Sequence, residues 1–211
     1  MNIGIIGATG KAGDLILKEA QERGHEVTAI VRNRTKLQHD VPVIEKDIFD
    51  LTKEDLSNFD VVVNAFGTSP DQGQPHIDAA RVLTKALQGT NTRLFVVGGA
   101  ASLYVDEDKT TQVIDTPDFP DAIKPMAGGM AKALAQLQNA ADLTWTFLSP
   151  AVEFDYEGGR TGTYQKGKDH LITNSEGNSY ISYADYAIAV LDEIENKEHI
   201  NERFTIVGES K

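Results

Sequence analysis

The chain predicts an α/β fold, a three-layer sandwich in which a mainly parallel sheet lies between two layers of helix. Three observations predict it. Short apolar runs of the kind buried as strands alternate with amphipathic helical stretches along most of the chain. The first such run breaks into the glycine-rich stretch Gly7-Ala8-Thr9-Gly10-Lys11-Ala12-Gly13, and a helix pattern follows at once. The spacing of strands and helices is that of right-handed βαβ units, which make neighbouring strands run parallel. At 211 residues, 40% of them hydrophobic and 25% charged, the chain fits a single domain over 1–211 with a sizeable core.

Each element has its own reason. Ile3, Ile5 and Ile6 make the first strand. Residues 11–23 form a helix with Ala12, Leu15, Ile16 and Ala20 on one face, stopped by Gly24. Residues 27–31 (VTAIV) are an unbroken apolar strand, and 43–45 a shorter third one. Thr52 and Asp55 resemble a capping box opening a short helix. Residues 60–65 are the fourth strand, 76–88 a helix, and 93–97 the fifth strand, ended by Gly98-Gly99. The acidic stretch 106–120 contains Pro117 and Pro120 and reads as a surface excursion. Residues 130–141 are helical and 143–148 the sixth strand. Five glycines between 158 and 177 indicate loops with at most short hairpin strands. Ser182 and Asp185 cap a strong final helix, and 204–207 is the last strand. A small loop-rich substrate lobe is expected from 106–120 and 151–180.

Composition narrows the function. Without cysteine there is no disulfide, thiolate catalysis or cysteine metal site, which fits a cytoplasmic location. A net charge of −12 argues against a nucleic-acid partner. No apolar run approaches the roughly 18 residues that span a membrane, and the N-terminus carries no basic leader. The five histidines show no metal-ligand spacing. Of these, His76 alone falls near the expected site, and a surface position is expected for it.

The glycine stretch carries the chemistry. Strand, glycine turn, helix is the context of a dinucleotide-binding, Rossmann-type fingerprint. Gly7 allows the tight turn, Gly10 lets backbone N–H groups approach a pyrophosphate at the helix N-terminus, and Gly13 lets the helix pack against the strand. Thr9, Lys11 and Ala12 belong to the same loop. At the end of the second strand an acid would grip the ribose hydroxyl of NAD; this chain has Arg32, and Arg34, 19 and 21 residues past Gly13. A guanidinium suits a 2′-phosphate, so NADP is favoured, with NAD as the alternative. Asp47 is placed to accept from the adenine amino group, or else simply forms a turn, and Ile48 to pack on that ring. Asn64, Ala65, Phe66 and Gly67 end the fourth strand on the same edge, and Gly98 and Gly99 end the fifth where the nicotinamide should reach. Ser149, Pro150 and Ala151 end the sixth, and their backbone is expected to hold the carboxamide. Phe154, Tyr156 and Tyr164 are candidate stacking surfaces.

These residues, with Val31-Arg32-Asn33 and Ile181-Ser182-Tyr183-Ala184-Asp185-Tyr186, span nearly the whole chain. Together they resemble an atypical member of the short-chain dehydrogenase/reductase superfamily, closest to the NADH-flavin reductases grouped with NmrA-like proteins and the flavin/biliverdin reductase B family. The resemblance implies an NAD(P)H-dependent reductase or a nucleotide-binding redox sensor. The superfamily's Tyr-x-x-x-Lys pair is missing: Lys132 sits in the corresponding helix, but four residues before it stands Gly128. The helper-serine position matches Gly99, with Ser102 the nearest hydroxyl. Lys132, as a catalytic or cofactor-positioning cation, and Ser102 are the catalytic candidates. Lys132 can equally be a solvent-facing lysine.

A ketone needs a proton as well as a hydride, whereas a reduced flavin ring can take its proton from solvent. The expected activity is therefore hydride transfer from NADPH to FMN, FAD or a similar planar small-molecule acceptor, by a monomer or homodimer. A catalytically silent sensor of the NmrA kind is the alternative. A sugar-nucleotide epimerase relative is disfavoured by the missing Tyr and the short C-terminal region.

Overall fold

A computed structural model describes residues 1–209. The strands are β1 (Asn2–Ile6), β2 (Glu26–Val31), β3 (Val43–Glu45), β4 (Val61–Asn64), β5 (Arg93–Val97), β6 (Trp145–Ser149), β7 (Glu153–Asp155), β8 (Gln165–Gly167), β9 (Tyr180–Ser182) and β10 (Glu202–Val207). The helices are α1 (Lys11–Glu22), α2 (Lys53–Leu56), α3 (Gln74–Leu87), α4 (Lys124–Gln138) and α5 (Tyr183–Asn196), with 3-10 turns between several of them. One eight-stranded sheet runs in the order β3-β2-β1-β4-β5-β6-β10-β8. All its neighbours are parallel except β8, which pairs antiparallel with β10. This is the Rossmann-type order, reversing direction beside β1.

Side-chain alternation divides the core. Ile3 and Ile5, Val61 and Val63, Phe95, Phe204 and Ile206 face one side, where Ile16, Leu17 and Ala20 of α1 and Val190, Leu191 and Ile194 of α5 cover them. Ile6, Val62, Leu94, Val96 and Phe147 face the other, against Leu83 and Leu87 of α3 and Leu134 and Leu137 of α4. Both faces are buried, so the strands read as continuous apolar runs rather than alternating ones.

Three elements differ from the sequence expectation. Helix α4 begins at Lys124 rather than at 130: Pro125 suits a helix start, and Gly128-Gly129 continues the helix instead of breaking it. Gly129 is small because the backbone of Gly73 lies against it; a Cβ there would strike the Gly73 carbonyl oxygen. The glycine-rich 158–177 region forms no hairpin of its own. Its strand β8 joins β10, while β7 and β9 make a separate parallel pair. The excursion at 106–120 is tied down: the backbone of Tyr104 bonds Asp169 and Leu171, both at 2.9 Å, and Asp169 takes ion pairs from Lys109 at 2.8 Å and Arg203 at 2.9 Å.

Candidate functional site

The glycines of the first turn act at three distances from the strand. Gly7 has φ +76°, donates to the Ile30 carbonyl at 3.1 Å, and lies so close to Ala65 that a Cβ would come within 2.6 Å of its oxygen. Gly10 donates to the Gly7 carbonyl at 2.9 Å and stands at the N-cap of α1 without a side chain to cap it. Gly13 is packed so that a Cβ would strike the Gly7 carbonyl oxygen. The result is a helix N-terminus whose first N–H groups have no intrahelical acceptor and no capping side chain, the arrangement that binds anions.

A cavity of about 680 Å³ opens over this terminus and crosses the C-terminal edges of five adjacent strands. Its walls include Val31 and Arg32 at the end of β2, Ile6 and Gly7 at the end of β1, Ala65 and Phe66 after β4, Gly98 and Gly99 after β5, and Pro150 after β6. Of the sequence-derived cofactor residues, Gly7, Thr9, Gly10, Lys11, Ala12, Arg32, Ile48, Ala65, Phe66, Gly67, Gly98, Gly99 and Pro150 lie on it.

The others stand behind it. Gly13 packs the helix. Asn64 is buried, its Oδ1 accepting the Phe66 N–H at 3.1 Å. Ser149 and Ala151 are buried in the sheet edge. The Asp47 carboxylate caps the turn Ile48–Asp50, taking the Phe49 N–H at 3.1 Å, and it does not line the cavity. Such local capping is what an aspartate in that position does most readily.

Charge at this cavity is opposite to that of the chain. Among the described residues four cations, Lys11, Arg32, Lys36 and Lys46, line it, and no carboxylate does. Lys46 is paired with Asp55 at 2.6 Å, but Arg32 and Lys36 have no ion pair among the described residues. Asn33 caps the 3-10 turn Arg34–Lys36 by accepting the Thr35 N–H at 2.9 Å, and this brings Lys36, not Arg34, onto the cavity wall.

The far end is apolar and aromatic. Met126 and Met130 of α4, Phe154 and Tyr183 line it. The Met130 sulfur fills the space beside Gly99, 3.2 Å from where a Cβ would stand. Phe66 packs edge-on between Phe49 and His76, at 5.8 and 5.6 Å. His76 is buried rather than on the surface; its Nε2 lies 3.2 Å from the Thr68 hydroxyl, and burial pushes its pKa down, leaving the imidazole neutral. Tyr156 is exposed and does not line the cavity; the Lys11 ammonium lies 4.5 Å above its ring. Tyr164 is elsewhere, donating to Asp192 at 2.6 Å.

Neither catalytic candidate reaches the cavity. Met126 and Met130 are one helical turn apart and face inward; Lys132, two residues further, is turned about 200° from Met130 and is exposed. Ser102 is 6% exposed, and its Oγ accepts from the buried Arg203 at 3.3 Å, a structural bond. The stretches 106–120 and 158–177 contribute nothing to the lining; of the expected lobe only Phe154 does, joined by Tyr183. Lys36, Thr68, Met126, Met130 and Tyr183 were not expected as site residues, although Tyr183 stands in the motif 181–186. The i, i+4 spacing of the two methionines was the one available signal.

Comparison with known proteins agrees with this geometry. A family model described as NAD(P)H-binding matches residues 7–197. The chain is 60% identical to the "Uncharacterized protein YwnB" of Bacillus subtilis (strain 168) over the whole of both chains. Its fold superposes with TM-score 0.94 on a "putative NADH-flavin reductase" from Streptococcus pneumoniae TIGR4, at 48% identity over 99% of this chain and 100% of that one. It superposes with TM-score 0.88 on a "putative epimerase" from Bacteroides thetaiotaomicron, at 32% identity over 100% of this chain and 98% of that one.

Proposed function

The chain belongs to the NAD(P)H-binding family, and from that premise we propose that it transfers hydride from NADPH to a flavin or another planar acceptor. The observation that carries the reading is the cavity wall: four cations and no carboxylate, around an uncapped helix N-terminus, in a protein of net charge −12. A dinucleotide with an additional 2′-phosphate is the ligand this wall fits. Its pyrophosphate belongs at Gly10–Ala12 beside Lys11, and its 2′-phosphate at Arg32 and Lys36, which like Lys11 have no carboxylate partner among the described residues. The volume of about 680 Å³ lies within the range of small-molecule sites.

A bound nicotinamide supplies the hydride. The chain's own part is to hold two rings together and keep water from between them, which Met126, Met130, Phe154 and Pro150 are placed to do. Proton delivery is the weak point of the site. Lys132 and Ser102 are away from it, and His76 is a neutral imidazole bonded to Thr68. An acceptor that completes its reduction with a solvent proton suits a site that neither Lys132 nor Ser102 reaches. The name of the Streptococcus pneumoniae neighbour points the same way.

The test is to mix purified protein with NADPH and FMN and follow the loss of reduced-nicotinamide absorbance. Oxidation no faster than in the protein-free control overturns the reductase reading and leaves a nucleotide-binding protein without turnover, the sensor alternative.

A further inference from the structure

Tyr183 opens α5 and lines the cavity beside Phe154 and Pro150. Its ring lies face to face on Phe154, centroids 3.7 Å apart at 10°, and Tyr156 meets it edge-on at 5.6 Å. The backbone beneath is fixed as well. Ser182 Oγ accepts the Asp185 N–H at 3.0 Å, and the Asp185 carboxylate accepts from the backbone of Thr161 and Gly162, both at 2.9 Å. Three other tyrosines spend their hydroxyls internally: Tyr186 on the Leu148 carbonyl at 2.7 Å, Tyr164 on Asp192 at 2.6 Å, and Tyr180 on Asp155 at 3.1 Å. The Tyr183 hydroxyl has no partner among the described residues, although the residue is half-buried. Burial pushes its phenol above the ordinary value, so it keeps its proton and remains a donor. A held ring on a cavity wall whose O–H has no partner among the described residues leaves a donor free for a ligand.

We propose that the Tyr183 hydroxyl donates a hydrogen bond to a carbonyl oxygen of the planar acceptor, and so selects carbonyl-bearing rings such as isoalloxazines and quinones over carbonyl-free dyes. The inference rests on the hydride-transfer reading above. Hydride brings two electrons to the acceptor ring and leaves one negative charge, which a conjugated carbonyl oxygen takes up. The Tyr183 O–H bond to that oxygen strengthens as the charge gathers, and the proton that completes the reduction comes from water. Met126 and Met130 cannot do this, since they offer adaptable apolar contact and no donor. Phe154 and Tyr183 add the stacking face that a planar ring needs.

The experiment is calorimetric titration of the NADP⁺-loaded protein with FMN, with menadione, and with the methylphenazinium cation, a planar dye lacking a carbonyl. Tyr183→Phe keeps the ring and deletes the donor. It should weaken FMN and menadione by about five- to tenfold while leaving methylphenazinium, NADP⁺ affinity and the melting temperature unchanged. Equal weakening of all three acceptors makes Tyr183 a stacking surface only and overturns the proposal. Loss of NADP⁺ affinity assigns the hydroxyl to the cofactor and does the same. Wild-type protein that binds FMN or menadione, with a variant that binds them equally well, overturns this inference alone. Wild-type protein that binds none of the three overturns the hydride-transfer reading and this inference with it.

Discussion

Arg32 and Lys36 reach the same cavity wall by different routes, one at the end of a strand and one through a capped turn. If both read a 2′-phosphate, each alone should matter for NADPH and neither for NADH. Arg32→Ala and Lys36→Ala are expected to weaken NADPH about tenfold or more and NADH by less than about twofold, in equilibrium titrations at fixed salt. Equal losses for both nucleotides would show that these cations serve the pyrophosphate instead. Gly13→Ala places a methyl group against the Gly7 carbonyl. It should cost about 1–3 kcal/mol of stability and weaken both nucleotides together, since the turn must open to admit it. Arg32 and the glycines were readable from sequence because they lie at fixed offsets from a strand end. Lys36, the burial of His76 and the place of Tyr183 were not: they depend on a three-residue turn, a buried helix start and an aromatic stack, which no spacing rule contains.

Between elements the decisive contact is where the loop before α3 meets the start of α4. Gly73 and Gly129 touch backbone to backbone, and the Met126 N–H donates to the Pro70 carbonyl at 3.2 Å. That contact sets Thr68 and His76 beside Met126 and Met130 in the cavity wall. Gly129→Ala must separate them. It should weaken nucleotide and acceptor binding while the sheet stays folded, with a destabilisation of about 1–3 kcal/mol in denaturant melts. Unchanged binding would mean that the loop position does not shape the site. The parallel, Rossmann-type sheet was legible, because apolar runs separated by helices leave few topologies. The start of α4 was not, since a Gly-Gly pair looks like a helix end until the surface packed on it is known. The partners of β8 were hidden for a similar reason: a three-residue strand has too little pattern to name its neighbour.

At the scale of the molecule, acidic side chains outnumber basic ones, yet several are held ionised in buried networks. Burial raises the Glu193 pKa, but hydrogen bonds from His199 and Arg93 more than offset it and leave the group below its ordinary value of 4.5. Glu19, against Arg160 and Arg23, and Asp169, against Lys109 and Arg203, are lowered in the same way. A carboxyl with a depressed folded pKa adds stability that is fully present above its unfolded value and is lost as pH falls through the folded one. Denaturant midpoints should therefore drop mainly below about pH 4.5, where the unfolded chain binds more protons. A drop concentrated between about pH 7 and 5 would point to histidine instead. Glu193→Gln leaves Arg93 buried without a counter-charge and should cost about 3 kcal/mol or more at neutral pH, read as a lowered melting temperature.

The central sheet ends on each side in a strand of three residues, β3 at one edge and β8 at the other. A lateral edge of that length offers few free backbone donors and acceptors to a second chain. At the β8 edge, Lys166 is tied to Glu198 at 2.6 Å and Lys168 stands 3.8 Å from Glu202, so an incoming strand would also have to displace paired charges. Short, charged margins of this kind are how parallel-sheet proteins resist stacking edge to edge into fibrils. The same margins direct any specific self-association toward the helical faces, leaving the C-terminal edge of the sheet free for its ligand.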